Sequence, residues 1–238
     1  MTSLDHRTTA LLAVVALLMV VAIILVFGVA PDPANLATPV ERFAQRIFYF
    51  HVPNWWVGFL AFLVAAVAGV LYLTSGHEKW DVIEVSSIEI GLTFTTIGLI
   101  TGSIWARPTW NTWWTWDPRL TTAAVGWLMY VAYLMLRSAL DNPQRRARFA
   151  AVFSILAFLD VPVIFMAIRW WRTIHPMVIG SGGDQALGGF TLGPTIRLVF
   201  FFCLAVFTLL YVLLMVLRTR AEFLSRRVEL LRQEIMFR

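Results

Sequence analysis

Charge is scarce in this sequence, and cysteine nearly absent. Only 14% of the 238 residues are Asp, Glu, Lys or Arg, where a soluble domain carries ~25%. So few charges cannot clothe a soluble core, which excludes a simple soluble enzyme and a disordered tail alike. The single cysteine, Cys203, excludes an internal disulfide, a disulfide scaffold and any Cys-x-x-Cys-His attachment motif. No internal repeat or low-complexity linker breaks the chain, which reads as one domain over residues 1–238. Apolar side chains are what it has in excess, at 59% against the usual ~45–50%. Lipid must be the solvent for much of that surface. The net charge of +5 suits the Lys and Arg that fix membrane topology better than a nucleic-acid partner.

Six apolar stretches are long enough to cross ~30 Å of hydrocarbon at ~1.5 Å per residue. They are residues 8–30, 55–74, 85–105, 121–140, 149–168 and 198–217. The expected fold is an all-α integral membrane protein, a six-helix transmembrane bundle with an external, interfacial Trp-rich segment. The first stretch outruns the ~7–15 residues of a signal peptide's apolar region, so it is expected to stay as a helix. Arg137, at the end of the fourth, is expected to snorkel toward headgroups. Asp160 and Pro162 lie inside the fifth. Asp160 is expected to face the bundle, because a carboxylate in mid-membrane costs ~2.5–3.5 kcal/mol. With the N-terminus inside, the inner segments and the tail over residues 218–238 hold twelve Lys and Arg and the outer loops seven. Both termini are therefore expected in the cytoplasm.

The polar chemistry then gathers on the outer side. The outer loops are residues 31–54, 106–120 and 169–197, and they carry His51, His175 and most of the Trp. Trp105, Trp110, Trp113, Trp114 and Trp116 put five Trp in twelve residues, more than an interfacial belt needs. Trp110, Trp113, Trp114 and Asp117 follow i, i+3, i+4, i+7, so the segment is expected to form an amphipathic helix lying in the interface. An indole-rich surface suits a large planar apolar ligand. His51 and His175 each sit among aromatic residues beside a helix end. Two neutral imidazoles can serve as the axial ligands of a haem iron, whereas zinc wants more ligands than this face supplies. Pro53 and Pro176 follow the two His closely and fix φ there. His6 and His77, on the inner side, lack such surroundings.

These residues resemble a known family. Residues 101–121, TGSIWARPTWNTWWTWDPRLT, look like the tryptophan-rich WWD signature of the haem-handling membrane proteins of cytochrome c biogenesis. The stretch His51-Val52-Pro53 is similar to that group's first external histidine motif, and Trp170-Trp171-Arg172-Thr173-Ile174-His175 to its second. Six spans point to the cytochrome c maturation protein C family, with the resemblance strongest over residues 51–217. It implies that haem b is held on the outer face of a bacterial inner membrane, with His51 and His175 as axial ligands. Trp110, Trp113, Trp114, Trp116 and Asp117 would form the platform for haem and chaperone. The haem would pass to a periplasmic haem chaperone, which binds it covalently. An ABC-type maturation complex of ATPase, permease and small membrane subunit would release the loaded chaperone. Pro118 departs from the family pattern, which has a small residue after the Asp. Glu84, Glu89 and Asp160 lie outside the pattern. The residues show no catalytic constellation, and whether attachment is catalysed or templated stays open.

Two other functions fit the composition. A b-type haem redox subunit would carry His inside its spans, and none of the six stretches holds one. A membrane permease would show polar or broken helices at the midplane, for which Asp160 and Pro162 are the candidates.

Overall fold

The computed structural model describes residues 5–33, 35–175 and 192–236. Among these residues the helices are α1 (His6–Ile24), α2 (Pro39–Ala44), α3 (Phe48–Ser75), α4 (Glu78–Trp110), α5 (Pro118–Ser138), α6 (Pro143–Phe158), α7 (Asp160–Trp170) and α8 (Pro194–Met236). A π-helical turn over Leu25–Val29 prolongs α1, and a 3-10 turn over Gln45–Ile47 joins α2 to α3. Six helical stretches among the described residues are long and apolar enough to cross a membrane: His6–Val29, Pro39–Ser75, Glu78–Trp110, Pro118–Ser138, Pro143–Trp170 and Pro194–Met236. Each expected span falls on one of them.

Local chemistry sets the helix ends well outside the apolar runs. Thr38 and Glu41 form a capping box ahead of Pro39, so helix begins at Pro39 rather than near Trp55. Asp117 before Pro118 and Asn142 before Pro143 each accept a backbone N–H in the first turn. Gly76, at φ +67°, ends α3 in the left-handed conformation that a Cβ disfavours. The fifth stretch is bent. Leu159 closes a tight turn onto the Leu156 carbonyl, and Pro162 removes a helical donor just beyond it.

α3 packs along α4 and touches α6 and α8, α1 lies on α8, and α5 rests on α6 and α7. Toward one end Phe48 stacks on Phe200 at 4.7 Å between centroids. In the middle Phe62 stacks on Tyr130 at 3.5 Å. With no hydrophobic drive between helices in lipid, such packing carries the association.

The ends of the bundle differ. At the end holding the first turn of α1 and the tail of α8, charge is paired. Arg137 does not snorkel: it is buried and donates to Asp81 at 2.6 Å, while Arg226 holds the other Asp81 oxygen at 2.6 Å. The last turn of α5 faces the start of α4, so a carboxylate is nearer than any headgroup. Glu89 pairs with Arg218. α8 runs unbroken from Pro194 to Met236, so the tail continues the sixth span, and residues 237–238 lie outside the described residues. Asp160 faces the bundle as expected, with Oδ2 buried against Gly126 of α5.

Candidate functional site

His51 belongs to the first turn of α3 and not to a loop, because the helix begins at Phe48. Helix therefore does carry a His, one turn from the helix start. The residue is 7% exposed. Its Nδ1 lies 3.1 Å from Thr101 Oγ1 on α4, and the Thr101 hydroxyl donates its one hydrogen to the Ile97 carbonyl at 2.8 Å. With that hydrogen on the carbonyl, the Thr101 oxygen is the acceptor for the tautomer that carries its proton on Nδ1, in which the Nε2 lone pair is available. A Cβ at position 102 would come within 2.8 Å of His51 Cε1, so Gly102 supplies the space that the imidazole occupies. Pro53 lies within α3 beside it.

His175 ends the described segment after α7; Pro176 lies outside the described residues. The backbone N–H of His175 donates to Thr173 Oγ1 at 3.1 Å. That hydroxyl donates to Asp117 Oδ2, and Asp117 Oδ1 accepts the Leu120 N–H at 2.9 Å. One carboxylate thus caps α5 and tethers the segment bearing the second imidazole. The His175 ring meets Trp110 edge-on, at 6.0 Å between centroids.

The expected amphipathic helix through the Trp-rich segment does not form. α4 stops at Trp110, Asn111 takes the left-handed conformation at φ 55°, and α5 starts at Pro118. Arg107 donates to the Asn111 carbonyl at 2.6 Å, and Thr112 Oγ1 donates to the Trp114 carbonyl at 3.0 Å, fixing a bent connection. A second helix signal at Asp117-Pro118 ends any continuation. Trp110 consequently remains on α4. Trp113 and Trp116 project outward at 58% and 77% exposure, and Trp114 packs edge-on against Trp116 at 5.7 Å.

His51 and His175 line one cavity of about 890 Å³ of empty space, counted out to its open mouth. Trp55, Phe59, Trp105 and Trp110 form much of its wall, with Arg119 on the α5 side. Trp105 meets the His51 ring edge-on at 5.9 Å. Of the residues expected at the site, His51, His175 and Trp110 line the cavity; Trp113, Trp114, Trp116 and Asp117 stand outside its wall. Sequence reasoning missed Trp55, Trp105 and Arg119 as lining residues. Arg119 carried a signal: a cation in a helix's first turn opposes the helix dipole, so another partner is implied. Among the described residues no three His, Cys, Asp or Glu side chains come together as a metal site. The cavity thus offers two imidazoles, a cation and an aromatic wall.

Comparison with known proteins follows the same line. The family model described as "Heme exporter protein C" matches residues 1–234. The chain is similar to Heme exporter protein C of Bradyrhizobium diazoefficiens, 34% identical over 84% of this chain and 73% of that protein. Heme exporter protein C of Rhodobacter capsulatus is 30% identical over 79% of this chain and 76% of its own length. That of Escherichia coli K12 is 34% identical over 63% of this chain and 59% of its own. Matched across nearly its whole length, the chain belongs to the Heme exporter protein C family.

Proposed function

We propose that this chain binds haem b in the cavity between His51 and His175 and delivers it to a periplasmic haem chaperone. Family membership gives the coarse role, haem handling by a multi-pass membrane protein. The observation that carries the finer reading is the convergence of two imidazoles, distant in sequence, on one aromatic cavity with an open mouth.

The residues fit the cargo. Haem supplies an iron with two axial positions and a flat apolar ring with acidic propionates. His51 presents Nε2 in the tautomer that donates its Nδ1–H to Thr101. His175 is held in place through Thr173 and Asp117. The indoles of Trp55, Trp105 and Trp110 provide apolar walls and exclude water. Arg119 supplies a positive charge for a propionate. Trp113 and Trp116 stand exposed on the same connection, where an incoming chaperone could bury them. In this reading the site lies on the outer face of a bacterial inner membrane and both termini are cytoplasmic. The chain works with the ATPase, permease and small membrane subunit of an ABC-type complex.

A b-type redox subunit is less well supported. Haems that pass electrons across a bilayer need ligands at two depths, and both candidate His of this chain line one cavity. The test is the haem content and absorption spectrum of purified His51→Ala, His175→Ala and the double variant. Each single variant should retain less haem with an altered axial-ligand signature, and the double variant should retain none while still inserting. Wild-type haem content and spectrum in all three would overturn the assignment.

A further inference from the structure

α8 outruns the membrane. Its 43 residues span ~64 Å at ~1.5 Å per residue, about twice the hydrocarbon thickness. One face of the part beyond Leu217 is committed to the bundle. Arg226 reaches Asp81 and Glu78, Arg218 reaches Glu89, and Glu222 pairs with both Arg. A different face carries Leu217, Ala221, Leu224, Val228, Leu231 and Ile235, spaced by alternating steps of four and three. Leu224, Val228, Leu231 and Ile235 are each more than half exposed. An apolar stripe of this kind on an aqueous surface marks an interaction site.

The stripe has the grammar of a coiled coil. Leu217, Leu224 and Leu231 occupy d positions, and Ala221, Val228 and Ile235 occupy a positions. In a parallel coiled coil, β-branched residues at a with Leu at d favour two strands. Glu222 and Arg226 then fall at b and f, away from the seam, which agrees with their contacts to α4. The flanks choose the partner. Arg218 at e and Arg220 at g are taken by Glu89 and Asp5, which leaves Ser225 and Arg232 at e and Arg227 and Glu234 at g. In a parallel pair each g faces the following e of the other strand, so a second copy would set Arg227 against Arg232. Two like charges there repel, whereas a strand with acidic flanks pairs with both.

We propose that residues 217–235 are one strand of a parallel two-stranded coiled coil. The other strand is a helix of a different protein with Leu, Ile or Val at its a and d positions and Asp or Glu at e and g. The proposal does not depend on the haem assignment. Its test uses the full-length chain in lipid nanodiscs and a labelled synthetic peptide of about three heptads, with Ile at a, Leu at d and Glu at e and g. The peptide should bind saturably, and a peptide with Lys at e and g should bind at least ~10-fold more weakly. Leu224→Asp with Leu231→Asp should weaken binding by the same factor without lowering the melting temperature, since both side chains are exposed. Arg227→Glu with Arg232→Glu should reverse the preference between the peptides. Equal binding of both peptides, or undiminished binding by the Leu variant, would overturn the proposal. So would a wild-type dimer that the Leu variant disperses, or seam burial on phosphatidylglycerol vesicles in the absence of peptide binding.

Discussion

Thr101 has one hydroxyl hydrogen, and the Ile97 carbonyl takes it. In the Nδ1–H tautomer the bond to His51 then runs from ring to hydroxyl, and Thr101 itself stands outside the cavity wall. Thr101→Val keeps the shape and removes the acceptor. Outer-shell partners of metal-bound His typically govern 10–100-fold in affinity, so haem affinity should fall by roughly that factor. Titration of the apoprotein with haem checks it; wild-type affinity in the variant would refute the role. Gly102→Ala acts sterically. The new methyl would meet His51 Cε1 at 2.8 Å, so the ring must move. The variant should fold with a near-wild-type melting temperature, yet show a changed axial-ligand spectrum. At this scale the sequence was only partly legible. Two His embedded in aromatic residues could be picked out by type. Arg119 and Trp105 could not be placed, because which residues wall a cavity depends on how α3, α4 and α5 face one another.

Asp117 joins two elements, since it caps α5 and tethers Thr173. Asp117→Ala should cost ~1 kcal/mol of stability through the lost cap and loosen the segment bearing His175. Asp117→Asn keeps a capping oxygen and should recover most of the stability. Denaturant melts in detergent, read beside the haem spectrum, separate the two effects; equal loss in both variants would argue against the cap. At the far end Asp81 holds Arg137 and Arg226 together. Asp81→Ala strands buried cations and should destabilise by ~3–5 kcal/mol, whereas Glu78→Gln, removing an exposed pair, should cost less than ~1 kcal/mol. The first turn of α1 offers a pH test. Hydrogen bonds from the Thr8 N–H and hydroxyl, with Arg220 nearby, lower the Asp5 carboxyl from 3.8 to about 2. A lowered folded value means that the cap is fully in force above pH ~4 and is lost as pH falls toward 2. The protection factors of amides in that turn, corrected for the intrinsic pH dependence of exchange, should therefore be constant near neutral pH and fall as pH drops below ~4; protection retained below pH ~2 would contradict this. Helix existence was legible here and helix ends were not. Hydropathy marks the part that lipid must bury, while caps such as Thr38 with Glu41 decide where the chain starts to coil. The Trp-rich connection misled for a related reason. Its i, i+3, i+4 spacing is real, yet Asn111 and Pro118 interrupt the backbone that the spacing needs.

The whole molecule places the cavity at one end of the bundle and the charge-paired helix termini at the other. Twelve Lys and Arg against seven are the ground for proposing that the tail faces inward. Reporters fused after Leu217 should signal the cytoplasmic side, and reporters inserted near Trp113 the outer side; the opposite pattern would reverse the assignment of faces. The architecture was legible from six apolar runs, because lipid imposes length and apolarity on every span. The pairing of α8 with the start of α4 was not, since ion pairs across 145 positions leave no local trace. The position of the two imidazoles also has a consequence during synthesis. His51 emerges with the second span, but His175 follows the fifth. A chain still on the ribosome therefore carries nine of its eleven tryptophans and one imidazole of the pair before the second arrives. With both imidazoles holding the iron, as proposed, the full ligand pair exists only once the fifth span is threaded, so half-made chains would lack tight capture of the porphyrin.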